Sequence, residues 1–239
     1  ALFGSQGRMA VAVTPVAEGV VRADWPTFLG PTRNNLSLET GLLTEWPESG
    51  PPLVWQRPVG DGYGPPVVAE KRLVIFHRIA DEELIECVDA QEGEQVHWRH
   101  AYPTHYVDSY GYNGGPRSSP CIDADRVYAF GAEGVLTCLD FETGTLIWQR
   151  PVNKEFRVPP GFFGAGVAPV VDDGLVFLNV GGPEGAGVVA FDADTGETVW
   201  KASNDAASYS TPIVATLHGE RLVIFHTADG LLVVEAKTG

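Results

Sequence analysis

The stretch that decides the fold is AFDADTGETVW at residues 190–200, because it recurs along the chain. A second copy reads CLDFETGTLIW at 138–148, and a third, CVDAQEGEQVHW at 87–98, has one extra residue before its tryptophan. A fourth, VEAKTG at 234–239, contains the first part of the motif. The four motif glycines stand 51, 52 and 43 residues apart. This spacing indicates one structural unit that is repeated about every 40–50 residues.

A second motif recurs out of phase with the first. It reads GPPVV at 64–68, SSPCI at 118–122, VAPVV at 167–171 and STPIV at 210–214. A polar turn and an apolar run follow each copy, and the run RLVIFH at 72–77 returns unchanged at 221–226. Each unit therefore contains four short β-rich runs, named here the A, B, C and D strands in chain order. Four-stranded units of this length predict an all-β chain that folds as a β-propeller.

The repeated polar and aromatic residues have structural roles that follow from their chemistry. An aspartate at the end of the first three C strands accepts hydrogen bonds from turn amides, and a glycine adopts the positive φ that starts the D strand. A tryptophan on the D strand offers a large apolar face for packing between blades, with an indole N–H to donate. These structural positions are Asp89, Trp98, Asp140, Gly144, Trp148, Asp192, Gly196 and Trp200.

At these residues the chain resembles the PQQ-type (pyrroloquinoline-quinone-like) β-propeller repeat family. The Trp-docking consensus of that family is A-x-D-x-x-x-G-x-x-x-W, and residues 190–200 fit it fully. The family includes quinoprotein alcohol dehydrogenases, the propeller lipoprotein of the outer-membrane β-barrel assembly machinery, and exported bacterial propellers without an assigned role. The opening at 24–55 resembles that last group. The resemblance covers residues 24–239 and is specific for the fold, but it implies no particular activity.

The repeats divide the chain into a leader and a propeller. Residues 1–23 are expected to be a leader or the remnant of a signal peptide, because an apolar stretch ends there in Val-Arg-Ala. Residues 24–239 form the propeller, with an unmatched N-terminal D strand expected at 53–59. The expected blades cover residues 64–99, 117–150, 166–201 and 209–239. Two architectures stay open: a closed four-bladed ring, or part of a seven- or eight-bladed propeller, which the resemblance favours.

Composition limits the classes of partner. The net charge is −15, from 16 basic and 31 acidic residues, which argues against nucleic acid and against anionic membrane surfaces. No apolar window is long enough for a transmembrane helix, so we expect no membrane insertion. The leader and the resemblance together indicate a periplasmic or otherwise exported protein.

Two long D–A connections carry the candidate binding residues. The D–A connections and the B–C turns of a propeller share one face, and long aromatic loops on a rigid scaffold are common binding sites. Residues 99–117 and 152–166 are rich in tyrosine, phenylalanine and arginine, which favour interfaces. The alternative is a self-packed loop that covers the rim. The candidates are His105, Tyr110, Tyr112, Arg117, Arg157 and Phe162, of which Tyr110, Tyr112 and Arg117 are expected to be replaceable without loss of stability.

No catalytic or metal-binding constellation is evident. The resemblance to quinoproteins implies PQQ with Ca²⁺, a catalytic aspartate and often two adjacent cysteines. Cys87, Cys121 and Cys138 are not adjacent and occupy repeat positions that hold alanine, valine or isoleucine elsewhere. We therefore expect small core residues there, no catalytic or metal site, and no cofactor, with PQQ and Ca²⁺ as the alternative.

The sequence thus predicts a non-catalytic scaffold that presents its loop face to a protein, peptide or glycan. The first alternative is a PQQ- and Ca²⁺-dependent alcohol dehydrogenase, or a relative that retains a cofactor pocket. The second is the sensor domain of a larger chain.

Overall fold

A computed structural model describes residues 23–161 and 163–239. The predicted leader therefore lies outside the described residues, except for position 23. Four separate antiparallel sheets, each with its strands in chain order, make up the described chain. This arrangement confirms the prediction of an all-β chain built from propeller blades.

The strand boundaries follow the repeats. Blade 1 contains β1 (Val67–Ala69), β2 (Arg72–Ile79), β3 (Glu82–Asp89) and β4 (Val96–Pro103). Blade 2 contains β5 (Cys121–Asp123), β6 (Arg126–Phe130), β7 (Val135–Asp140) and β8 (Leu146–Pro151), which is followed by the short helix α1 (Val152–Glu155). Blade 3 contains β9 (Val170–Asp172), β10 (Leu175–Asn179), β11 (Val188–Asp192) and β12 (Thr198–Ala202). Blade 4 contains β13 (Ile213–Leu217), β14 (Glu220–His226) and β15 (Leu231–Glu235). In the part of the chain that is described, no helix has the length and apolarity to cross a membrane.

Blade 1 is longer than its repeat suggests. The strands β2 and β3 have eight residues each and pair along their whole length. This length lets β4 pair with β3 as far as Pro103. Residues 99–103 therefore belong to the D strand, and the predicted connection at 99–117 begins only at residue 104.

Apolar cores fill the spaces between consecutive blades. One core joins blades 1 and 2, a second joins blades 2 and 3, and a third joins blades 3 and 4. Cys87, Cys121 and Cys138 are free, buried thiols within the first two cores, as expected for small core residues. The A strands β1, β5, β9 and β13 lie side by side in this order. Each is the edge strand of its sheet, and the space beside the edges that face away from the B strands is called the central channel below.

The repeat aspartates close the C–D turns as their chemistry predicts. The carboxylate of Asp140 accepts hydrogen bonds from the amide and hydroxyl of Thr143, at 2.7 and 2.6 Å. The carboxylate of Asp192 is bonded in the same way to Thr195. These hydrogen bonds hold the pKa of both carboxyl groups below the ordinary value. The largest contribution comes from the Thr143 hydroxyl at Asp140 and from the Thr195 amide at Asp192.

Each repeat tryptophan docks on the next blade. The indole of Trp98 lies on Gly144 and donates to the carbonyl of Phe141 at 2.8 Å. The indole of Trp148 lies on Gly196 and donates to the carbonyl of Ala193 at 3.0 Å. Trp200 makes the equivalent contacts with Gly239 and Ala236. The tryptophan therefore joins two blades rather than stabilising its own.

The expected N-terminal strand at 53–59 is not a strand in the structure. No described strand lies beside it to form a ladder, so this part of the prediction is wrong. Trp55 nevertheless docks as a D-strand tryptophan does, with its ring on Gly93 and its indole N–H 3.2 Å from the carbonyl of Ala90. Arg57 ties the segment to Glu86 at 2.5 Å. The segment keeps the docking contact of a D strand without its backbone pairing.

Blade 4 has three strands among the described residues, as the repeats predict. A closed four-bladed ring would require residues 53–59 to pair with β15, and they do not. Residues 24–35, called the strap below, instead cross the central channel beside the A strands.

Candidate functional site

The candidate site lies on the loop face, where four equivalent repeat positions converge. The residue three places before the repeat proline is Tyr63, Arg117, Gly166 or Tyr209 in blades 1 to 4. All four line one cavity of about 430 Å³, the aromatic pocket. Gly166 leaves space there, since a Cβ at this position would stand 2.7 Å from the Tyr209 ring.

Arg117 lines this pocket, and its side chain is paired within its own loop. Its Nη2 donates to Oδ2 of Asp108 at 2.6 Å, and the two side chains are only 9% and 1% exposed. The same guanidinium also donates to the carbonyls of Asn113 and Gly115, each at 3.0 Å. The positive charge of Arg117 is therefore balanced within its own loop.

Asp108 organises the loop that carries the exposed tyrosines. Its Oδ1 accepts the backbone N–H groups of Tyr110 and Tyr112 at 2.9 and 3.1 Å. Burial opposes ionisation of Asp108, but these two amides and the Arg117 guanidinium outweigh it and lower the pKa of its carboxyl. An ionised Asp108 thus holds both the arginine and the loop backbone in place.

Aromatic rings surround the Arg117 guanidinium. Its Cζ lies 5.4 Å from the ring centre of Tyr63, 5.2 Å from that of Tyr106 and 5.7 Å from that of Phe163. These distances fall within the range of cation–π attraction. Burial is the main cause that raises the pKa of the Tyr106 hydroxyl. The walls of the pocket are consequently apolar rings around a balanced charge.

Phe163 contacts aromatic side chains from the D–A connections before and after its own. Its ring centre lies 5.6 Å from that of Tyr110 and 5.9 Å from that of Tyr209. Its backbone N–H donates to the Tyr209 hydroxyl at 3.0 Å. Tyr110 stacks in turn on Tyr112, with ring centres 5.9 Å apart. One row of aromatic contacts therefore runs across blades 1 to 4.

A second cavity adjoins the aromatic pocket. It has a volume of about 590 Å³ and shares Gly166 and Tyr209 with the pocket. Its rim includes His105 and Glu133, and the Glu133 carboxylate accepts the backbone N–H of His105 at 2.9 Å. The two cavities together form an open groove across the loop face.

The structure brings together some of the predicted site residues and separates others. Tyr112 and Arg117 line the aromatic pocket, Tyr110 stacks beside it, and His105 lines the adjoining cavity. Arg157 instead forms an exposed ion pair with Glu184 at 2.5 Å. Phe162 lies outside the described residues.

The site also contains residues that were not among the six predicted candidates. Tyr106, Asp108 and Phe163 lie on the two loops that the sequence predicts to bind, whereas Phe28, Tyr63 and Tyr209 lie outside those loops. An available signal was the position three residues before each repeat proline, which identifies Tyr63, Arg117, Gly166 and Tyr209 as structural equivalents. The contributions of Phe28 and Phe163 depend on loop conformations that the repeat does not specify.

The residues of the pocket do not fit a PQQ–calcium group. Within residues 23–161 and 163–239, no group of three or more His, Cys, Asp or Glu side chains is placed to hold a metal ion. The one carboxylate at the pocket, Asp108, already binds Arg117 and two backbone amides. Ca²⁺ requires several free oxygen ligands, and the described side chains of this pocket do not provide such a set.

Comparisons with known proteins agree with the fold. The family model described as outer membrane protein assembly factor BamB matches residues 81–239. The protein of that name from Burkholderia pseudomallei (strain K96243) is 31% identical over 135 residues, which cover 56% of this chain and 31% of that protein. The chain thus spans about a third of the length of this curated relative.

Two solved structures are also similar. Quinohemoprotein alcohol dehydrogenase ADHIIG from Pseudomonas putida HK5 aligns with a TM-score of 0.52 at 15% identity, over 77% of this chain and 34% of that one. BamB from Moraxella catarrhalis aligns with a TM-score of 0.43 at 18% identity, over 75% and 58% of the two chains. The first of these supports the propeller fold alone.

Proposed function

The chain belongs to the PQQ-like propeller family described as outer membrane protein assembly factor BamB, and from this premise we propose that it is a non-catalytic scaffold. It binds a protein partner on its loop face, at the aromatic pocket. The partner is a component of outer-membrane protein assembly, and the chain works after export, in the periplasm. A peptide segment of that partner, rather than a glycan, occupies the groove.

The observation that carries this proposal is the exposure of aromatic rings around a balanced charge. The tyrosines Tyr112, Tyr63 and Tyr110 are 72%, 59% and 54% exposed. Tyrosine contributes large contact area with few rotatable bonds and is enriched among interface hot spots. Because Asp108 already balances Arg117, a partner can cover the pocket without burying an unpaired charge.

The polar groups of the pocket favour binding over catalysis. The Ser119 hydroxyl donates to the carbonyl of Pro65 at 2.7 Å, and the Thr211 hydroxyl accepts the Ala168 N–H at 3.3 Å. A nucleophile needs a neighbouring base within hydrogen-bond reach, and these hydroxyl groups are bonded to the backbone instead.

Site-specific photocrosslinking tests the location of the interface. A photoreactive phenylalanine analogue replaces Tyr112, and the chain is mixed with an isolated outer-membrane protein assembly complex and irradiated. The matched control carries the same analogue at Trp46, which is 54% exposed and does not line either cavity. Crosslinks to a protein of the complex from position 112, but not from 46, support the proposal. Equal crosslinking from both positions, or none from 112, contradicts it.

A further inference from the structure

The strap makes regular backbone contacts along the central channel. The N–H of Trp25 donates to the carbonyl of Val68 at 2.8 Å, and the Val68 N–H donates back at 2.9 Å. The carbonyl of Pro26 accepts the N–H of Ile122 at 2.7 Å. The guanidinium of Arg33 then donates to the carbonyl of Val171, also at 2.7 Å. The strap therefore bonds to three consecutive A strands.

The three bonded residues are equivalent. Val68, Ile122 and Val171 are the middle residues of β1, β5 and β9, where they face the B-strand residues Leu73, Val127 and Val176. In an antiparallel pair, alternate residues direct their backbone N–H and C=O away from the partner strand. The bonds to the strap show that the backbone groups of Val68, Ile122 and Val171 point toward the channel. The repeat thus builds a row of backbone donors and acceptors along the channel.

The strap is shaped to reach all three strands. It pairs with β1 through a bridge between Trp25 and Val68, and Gly30 then turns the chain at a φ of +81°. The Trp25 ring covers this turn so closely that a Cβ on Gly30 would stand 2.8 Å from it. The Thr27 hydroxyl donates to the carbonyl of Gly30 at 2.7 Å. The turn carries the chain on to Arg33, which reaches β9.

The channel has room beyond the strap. A cavity of about 360 Å³ separates the strap from β13, with Phe28 and Arg33 on one side and Ser210 and Ile213 on the other. Ile213 is 50% exposed at this point. The strap covers the strand edges of blades 1 to 3 and leaves space beside that of blade 4.

We propose that the central channel is a binding site for an extended peptide and that the strap is its resident ligand. Backbone bonds to strand edges supply affinity, and side-chain contacts supply selectivity, as in other cases of strand addition. The ligand chemistry that the site selects is an extended segment with an aromatic residue at its start and an arginine eight residues later. A segment of this kind from another protein binds by displacing the strap. The proposal does not rest on the function proposed for the loop face.

The test uses the full chain and a synthetic peptide with the sequence of residues 23–36. In the variant Trp25→Ala/Arg33→Ala, hydrogen exchange at the amides of Val68 and Ile122 is expected to be at least about tenfold faster than in the wild type, because the bonds to the strap open. The labelled peptide is expected to bind this variant at least about tenfold more tightly than the wild type, and to slow exchange at the same two amides. A peptide with alanine in place of its arginine is expected to bind more weakly.

Arg150→Ala is the matched control. Arg150 also donates to a carbonyl of the next blade, that of Gly196, but from the outer strand β8. Its replacement is expected to leave exchange at Val68 and Ile122 unchanged. If the double variant does not fold, the single variant Arg33→Ala is used in its place. Hydrogen exchange at the amides of Val68 and Ile122 is then expected to be faster than in the wild type. Wild-type exchange in the folded strap variants, or a peptide that does not protect these amides, overturns the proposal.

Discussion

The indole of Trp148 in blade 2 lies directly on Gly196 in blade 3, so closely that a Cβ on this glycine would stand 2.7 Å from the ring. Gly196 also has a φ of +72° and begins the turn into the D strand. One glycine therefore serves two purposes, since it permits the turn and provides the surface on which the preceding blade docks.

The variants Gly196→Ala and Gly174→Ala together separate the backbone role of Gly196 from its role in docking the tryptophan. Gly174 has a similar φ of +77°, but nothing lies within 4 Å of the position of its Cβ. Gly174→Ala is expected to cost only the backbone strain, about 1–2 kcal/mol of unfolding free energy. Gly196→Ala adds displacement of the Trp148 ring and is expected to cost about 1–3 kcal/mol more. Urea denaturation of both variants measures the difference, and equal losses would show that docking on the glycine contributes nothing.

The buried ion pair of Arg117 leads to a different prediction from the sequence expectation that this residue is replaceable without loss of stability. Its side chain is 9% exposed and balances Asp108, so removing it leaves a carboxylate without its partner. Arg117→Ala is expected to lower the melting temperature by more than about 3 °C, whereas Tyr112→Ala, at a residue that is 72% exposed, is expected to change it little. Arg117→Ala/Asp108→Asn is expected to recover part of the loss. A melting temperature for Arg117→Ala equal to that of the wild type would mean that the ion pair has no structural role.

The sequence repeats were enough to predict most of the fold but only a small part of the candidate site. Blades and docking tryptophans were predictable because each repeat places the same residue, such as Trp98 or Trp148, in the same local geometry. Residues 53–59 show the limit, since a strand needs a partner beside it as well as a suitable sequence. The pocket was only partly predictable because Phe28 and Phe163 reach it from irregular segments. Sequence periodicity specifies repeated hydrogen bonds, whereas the course of a single loop depends on tertiary contacts such as that of Arg117 with Asp108.

Acid is expected to weaken the C–D turns. The pKa of the Asp140 carboxyl is lower in the folded chain than its ordinary value of 3.8. A carboxyl group of this kind contributes stability that is present above its unfolded pKa and is lost as the pH falls through its folded pKa. We therefore expect the free energy of unfolding to decline below about pH 4. In Asp140→Asn the slope of this decline against pH is expected to be smaller, by an amount that corresponds to the uptake of less than about one proton. Urea midpoints between pH 2 and 7 measure this slope. A steeper acid loss in the variant would contradict the assignment.

Addition of PQQ and Ca²⁺ is expected to have no effect on the folded, monomeric chain. The carboxylate at the pocket is already bonded, and the walls are apolar rings, so the site lacks the oxygen ligands for calcium. Thermal shift and visible absorbance, recorded with both components at saturating concentration, test this directly. A stoichiometric complex with a raised melting temperature would restore the quinoprotein alternative.

The most direct test of the central claim is the affinity of the chain for an isolated outer-membrane protein assembly complex, measured for the wild type and for Tyr112→Ala. Truncation of a hot-spot tyrosine costs about 2 kcal/mol or more, so the variant is expected to bind about 30-fold more weakly. Trp46→Ala, which removes an exposed aromatic ring outside the pocket, is expected to bind like the wild type. Binding of Tyr112→Ala with wild-type affinity, or no binding by the wild type, would contradict a role for the aromatic pocket in holding a protein partner.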